Sequence, residues 1–230
     1  MKPVRIEVCP NPGNCPGMYL AYHIPKDHPL YGKAMSCACV RHAEAGRLKR
    51  ALPPVQQGMT FERFQPSTAN QKALTVAQRF AENPWSDKPF LTFTGHNQQG
   101  KTHLAVAIVN ALLERGEPAL VENVPALLDQ LRAGYVDGEF GAILARVKNA
   151  PVLVLDDLGA ESQASAGGAY ATTWAQDKLY QIVDRRVVQQ LPTIVTTNLT
   201  RACLPERVAA RLWNPRQAVV VAINLPNGVR

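Results

Sequence analysis

Residues Gly95-His96-Asn97-Gln98-Gln99-Gly100-Lys101-Thr102 spell G-x-x-x-x-G-K-[ST], a phosphate-binding loop that restricts the fold more than any other stretch of the chain. The pattern works only where a strand ends in a tight loop and a helix begins. Phe90-Leu91-Thr92-Phe93 reads as the strand, and Leu104 to Val109 with Ala111, Leu112 and Leu113 as the helix. In that setting, successive backbone N–H groups and the helix N-terminus cradle a phosphate. Lys101 then reaches the β- and γ-phosphates of a nucleotide, and the Thr102 hydroxyl holds Mg²⁺.

A metal held there needs a carboxylate, and an attacking water needs orienting. Val152-Leu153-Val154-Leu155-Asp156-Asp157 lies between Pro151 and Gly159, is too short for a helix, and suits a buried parallel strand. Its acids emerge at the carboxyl end of the strand, the edge where open α/β sheets bind ligands. Asp156 is expected in the Mg²⁺ shell and Asp157 against the water. A β-branched strand from Thr193 to Thr197 ends in Asn198, an amide suited to sensing the γ-phosphate or positioning the water. Arg207 and Arg211, four residues apart on a helical pattern, share a face. They either pair with carboxylates of their own surface or act as an arginine finger toward a neighbouring subunit's nucleotide.

These residues carry a resemblance to the DnaC-type and IstB-type AAA+ ATPases, the helicase loaders and transposition helpers. The matching stretches are Thr60 to Phe64, Gly100 to Ala105, Leu155 to Glu161, Leu191 to Leu199 and Glu206 to Leu212. The resemblance implies that Lys101 and Thr102 form the Walker A pair, Asp156 and Asp157 the Walker B pair, and Asn198 sensor 1. It makes Arg211 the first choice as finger and Arg207 the second. One departure stands out. The family form has another glycine and a small residue before Gly100, where this chain has Gln98 and Gln99, so neither position holds a residue that adopts positive φ without steric cost.

The amino-terminal part is a different object. Cys9, Cys15, Cys37 and Cys39 lie in a segment dense in proline, glycine and tyrosine, and four thiolates close a tetrahedral zinc site. Disulfides and unligated core cysteines are the competing readings; the nucleotide site and the absence of a signal peptide favour a reducing, cytoplasmic setting. His23, His28 and His42 are alternates for one cysteine ligand, and Cys203 reads as a small buried residue. The resemblance implies that this module docks on a partner helicase.

The net charge of +7 and a pI near 9.3 point to a polyanionic partner. Arg41, Arg47, Lys49 and Arg50 concentrate that charge before Pro53-Pro54, either as a solvated face or as a DNA contact. No apolar run approaches the roughly 18 to 20 residues of a membrane helix. Two helical patterns, 124–135 and 140–147, follow a strand at 119–122. The resemblance places the pore-facing insertion there, where Arg132, Tyr135, Arg146 and Lys148 are either contacts to single-stranded DNA or ordinary surface residues; Leu127, Leu128 and Leu131 read as core. The small-residue stretch 162–171, containing Tyr170, reads as a flexible loop.

The expected fold is α/β: an AAA+ P-loop NTPase with a five-stranded parallel sheet flanked by helices, a small amino-terminal zinc-binding module, and little or no carboxyl-terminal lid. The last expected strand is 218–223, and Arg230 is not expected to act as a lid sensor. The expected divisions are 1–50 for the module, 51–65 for a linker and 66–230 for the ATPase domain. The expected activity is ATP-dependent loading of a replicative hexameric helicase onto single-stranded DNA by a ring or spiral of subunits. The alternatives are an IstB-type transposition helper acting on target DNA with a transposase, and a nucleotide-dependent DNA-binding module with negligible turnover.

Overall fold

The computed structural model describes residues 9, 14–20, 32, 34–160 and 173–223. The stretch 162–171 with Tyr170, together with His23, His28, Glu161 and Arg230, lies outside the described residues.

Five parallel strands carry the domain: β3 (Phe90–Gly95), β4 (Ala119–Asn123), β5 (Val152–Leu158), β6 (Thr193–Thr197) and β7 (Ala218–Ile223). Their spatial order is β4-β5-β6-β3-β7, which puts the phosphate-loop strand β3 between β6 and β7. Before them come a short antiparallel pair, β1 (Met18–Leu20) and β2 (Ala34–Ser36), then α1 (Ala38–Ala51), α2 (Pro54–Gln57) and α3 (Gln71–Glu82). Helices α4 (Lys101–Glu114), α5 (Val124–Asp137), α6 (Phe140–Asn149), α7 (Thr173–Val188) and α8 (Glu206–Leu212) fill the connections.

The strands are near-continuous apolar runs because both sheet faces are covered. Successive side chains point to opposite faces. Leu91, Phe93, Val154, Ile194 and Val221 therefore share one core with residues of α1, α3 and α4. Phe90, Leu153, Leu155, Val195 and Ala218 share the other with α5, α7 and α8. Burying Phe93 completely contributes roughly 2–3 kcal/mol by transfer from water. Leu127, Leu128 and Leu131 are core residues of α5, as expected.

The amino-terminal segment is fastened to α4 along the length of that helix. Ala45 of α1 joins the α4 core, and Lys49 pairs with Glu114 at 3.2 Å. Asn110 Nδ2 donates to the carbonyls of Gln56 and Met59, both at 2.8 Å. The His103 ring bonds the Thr60 carbonyl at 2.8 Å, and Phe64 packs beside Gly100. The basic stretch thus lies on a packed helix, with Arg41 Nη1 donating to the Ser36 carbonyl at 2.9 Å.

At the opposite end of the sheet from the phosphate loop, Arg186 of α7 is fully buried. Its Nε donates to Thr193 Oγ1 at 2.8 Å, Nη1 to the carbonyls of Val147 and Ala150 at 3.2 and 2.8 Å, and Nη2 to that of Pro192 at 2.7 Å. Burial lowers its pKa, and the ring of carbonyls favours the charged form in return. One guanidinium thereby joins α7, the end of α6 and the entry to β6. Replacing it leaves several buried carbonyls without donors. Arg186→Met is expected to cost about 3 kcal/mol in urea unfolding; a loss below about 1 kcal/mol would contradict this role.

Candidate functional site

The carboxyl ends of β3, β5 and β6 converge on a cavity of about 460 Å³ lined by Asn97, Gln98, Gln99, Gly100, Lys101, Thr102, His103, Asp156, Asp157, Thr196 and Asn198. Most of the expected nucleotide residues are therefore brought together. Gly95 and His96 line a neighbouring cavity instead, and contribute to the loop through their carbonyls, which accept from Lys101 Nζ at 2.9 and 2.6 Å. Lys101 is buried, and desolvation lowers its pKa against the opposing pull of Asp157 and Asp156.

Gly100 sits at φ 84, and a side chain there would collide with the Phe64 ring, so two constraints select glycine. Gln98 occupies φ 61 at the position where the family form has glycine. The loop reaches its turn without that glycine, at a steric cost of roughly 1 kcal/mol. Since this cost falls on folding, Gln98→Gly is expected to stabilise the protein by about 0.5–1 kcal/mol. Nucleotide affinity should change less than about twofold, whereas a large gain in affinity without stabilisation would contradict a preformed loop.

Neighbouring residues of a regular strand face opposite ways, yet Asp156 and Asp157 both line the cavity. A register shift between Leu155 and Leu158 and a φ of 62 at Asp157 make this possible. The Asp157 N–H leaves the ladder and donates to Thr196 Oγ1 at 2.8 Å. Thr196 in turn donates to Asp156 Oδ1 at 2.7 Å, and Thr102 donates to the same oxygen at 2.8 Å. Thr102 and Asp156 present adjacent oxygen donors beside the loop, which fits the few protein ligands that Mg²⁺ takes in phosphate sites. Asn198 Nδ2 lies 3.5 Å from Asp157 Oδ1, at the limit of a hydrogen bond.

Burial raises the pKa of Asp157, Asp156 raises it further, and Lys101 opposes both. The folded state thus holds that proton more tightly than the unfolded chain, so this group contributes stability at acid pH and loses it as pH rises through the folded value. At neutral pH the ionised carboxylate is a net cost to the fold. Asp157→Asn should therefore raise the thermal midpoint at pH 7, with the gain shrinking toward pH 4. It should keep nucleotide binding and lower any hydrolysis at least about 100-fold. A lower midpoint at neutral pH, or unchanged hydrolysis, would contradict the assignment.

Arg207 and Arg211 stand on α8 and do not line the cavity. Arg211 pairs with Asp184 at 2.9 Å, and Arg207 lies 5.7 Å over the Tyr180 ring. Of the residues expected toward DNA, Tyr135 is exposed and stacks on Phe140 at 4.1 Å. Arg132 pairs with Asp129, Arg146 with buried Glu122, and Lys148 donates to Gln181.

Cys9, Cys15, Cys37 and Cys39 bring their sulfurs within 4.8 Å of one another, a set that fits tetrahedral zinc. The Tyr19 hydroxyl and the Gly17 N–H donate to Cys15 Sγ and pull its thiol down to about 6. These contacts favour the thiolate that ligates metal at Cys15, while donation from Cys39 Sγ to Cys15 raises the Cys39 thiol to about 12. His42 packs instead against Gly116, at the turn after α4, and Cys203 is exposed. Thr196 and His103 were not singled out by the sequence. Thr196 was visible only as one more β-branched strand residue, and His103 only as the residue after Lys101-Thr102.

A phosphate loop facing an acidic strand end in this strand order belongs to the AAA+ class of P-loop proteins. The crystal structure of the DnaC helicase loader shares the fold with a TM-score of 0.63 at 26% identity, covering 75% of this chain and 100% of that one. The chain itself is a member of the family described as IstB-like ATP binding protein, whose profile matches residues 40–204. Uncharacterized protein YdaV of Escherichia coli K12 is 30% identical over 170 residues, which is 71% of this chain and 65% of YdaV. The replicative helicase loader DnaC of the same strain is 27% identical over 175 residues, 73% of this chain and 68% of DnaC. An insertion-sequence ATP-binding protein of Mycobacterium tuberculosis is 30% identical over 154 residues, 66% of this chain and 57% of that protein. The matches thus span 57% to 68% of these relatives' lengths.

Proposed function

We propose that this chain is an ATPase that loads a replicative hexameric helicase onto single-stranded DNA, with hydrolysis as the switch. Lys101 and the loop N–H groups hold the phosphates, and Thr102 and Asp156 hold Mg²⁺, which neutralises charge that develops on the transferring phosphoryl group. Asp157 orients the attacking water and Asn198 reports on the γ-phosphate. Among the described residues the cavity lining contains no arginine. Arg211 of a neighbouring copy, with Arg207 as second choice, completes the site in a ring or spiral around DNA.

The observation that carries the loader reading is the seating of the thiol-cluster helix α1 on α4, the helix that starts at the phosphate loop. A partner held by a zinc-bound amino-terminal module is then one helix away from the nucleotide. Similarity to a protein named as a replicative helicase loader supports the same reading. The family's description and the insertion-sequence relative favour a second one, an IstB-type helper that prepares target DNA for a transposase. Among the described residues no helix is long and apolar enough to cross a membrane.

Co-purification with the host's replicative helicase, with and without ATP, tests the choice. Wild-type protein should carry close to one zinc per chain and retain the helicase. Cys39→Ser should lose both while keeping nucleotide binding. Zinc-loaded protein that retains no helicase but assembles on duplex DNA would overturn the loader reading.

A further inference from the structure

An arginine that serves another subunit's nucleotide must be held in place before that subunit arrives, because a long flexible side chain otherwise loses its rotamer freedom on contact. Arg211 is held in this way. Asp184 Oδ1 accepts from its Nε at 3.1 Å and from its Nη2 at 2.9 Å. The Tyr180 hydroxyl lies 3.4 Å from the same Nη2, with the guanidinium carbon 5.7 Å from the ring centroid. A guanidinium has one N–H at Nε and two at each terminal nitrogen. These contacts occupy the Nε and Nη2 edge, and among the described residues Nη1 makes no hydrogen bond.

The support beneath this contact is rigid. Tyr180 and Asp184 are four residues apart on α7 and share a face. Two residues on, Arg186 fixes α7 to the entry of β6. From β6 the chain reaches Asn198 and then α8, which bears Arg211. The pair is only partly covered, with 35% of the Arg211 side chain and 34% of Asp184 exposed, so its outer edge is open to a second copy. Arg207 lies over the same ring but is exposed and has no carboxylate partner among the described residues.

We infer that Asp184, assisted by Tyr180, is a positioning residue that presents Nη1 of Arg211 to the nucleotide of a neighbouring copy. This rests on the intersubunit reading above. It assigns α7, an element outside the nucleotide cavity, to the neighbour's hydrolysis rather than to its own subunit's.

The test uses the full chain, with DNA-stimulated ATP turnover and fluorescent-nucleotide binding read side by side. Asp184→Asn should bind nucleotide within about twofold of wild type and lose at least about tenfold in turnover, short of the larger loss expected on removing the finger itself. Mixed in equal amounts with Lys101→Ala, it should recover roughly a quarter of wild-type turnover, the share of interfaces that random assembly pairs productively. A defect in folding would not be repaired by a partner that cannot bind nucleotide. Tyr180→Phe, which keeps the ring, should show a milder loss with the same complementation, and serves if Asp184→Asn does not fold. Asp184→Asn with wild-type turnover beside an inactive Arg211→Ala would overturn this inference alone. So would a loss that Lys101→Ala does not repair under conditions where it does repair Arg211→Ala. Full turnover in Arg211→Ala would instead remove Arg211 as the finger on which this inference rests.

Discussion

One carboxylate oxygen holds the site together. Asp156 Oδ1 accepts the hydroxyl protons of Thr102 and Thr196, at 2.8 and 2.7 Å, and so ties the start of α4 to the ends of β5 and β6. An oxygen with two lone pairs accepts both hydroxyls at once. The second acid of the cavity is placed relative to that knot. The Thr196 oxygen that donates to Asp156 also accepts the Asp157 N–H, which fixes the irregular turn that brings the second acid into the cavity. A single break in strand regularity therefore puts two neighbouring acids on one cavity.

The same helix that begins at the phosphate loop is gripped from the amino-terminal side. Phe64 beside Gly100, His103 at the Thr60 carbonyl, Asn110 at the carbonyls of Gln56 and Met59, and His42 against Gly116 are spaced along α4 from first turn to last. A displacement of α4 on nucleotide exchange cannot leave this strip unchanged, because packed contacts rearrange in steps rather than stretch. The thiol cluster sits at the far end of that strip. Tight packing here joins the helix that starts at the phosphate loop to the amino-terminal segment.

All five sheet strands were legible in the sequence, because strands buried on both faces read as unbroken apolar runs between turn residues. The phosphate loop and the Asp156-Asp157 pair were legible because their chemistry demands particular residues at fixed spacing. What escaped depends on geometry that spacing does not encode. Thr196 is one of several strand threonines, and only the register that lays β6 beside β5 gives it two partners at once. Arg186 looks like a surface residue of a helix until the carbonyls of Val147, Ala150 and Pro192 close around it. The glutamines before Gly100 suggested a hindered loop, yet the backbone at Gln98 takes a left-handed turn, and the clustering of four loosely spaced cysteines was only one of several open readings.

The central claim is that ATP is hydrolysed between subunits, with the loop and acids of one chain completed by Arg211 of the next. Mixing two variants, each inactive alone, tests it most directly. Lys101→Ala lacks a nucleotide site but keeps its arginine, and Arg211→Ala keeps the site but lacks the arginine. Their equimolar mixture should regain ATP turnover in proportion to the mixed interfaces formed. A mixture as inactive as its components, under conditions where the subunits assemble, would contradict a shared site.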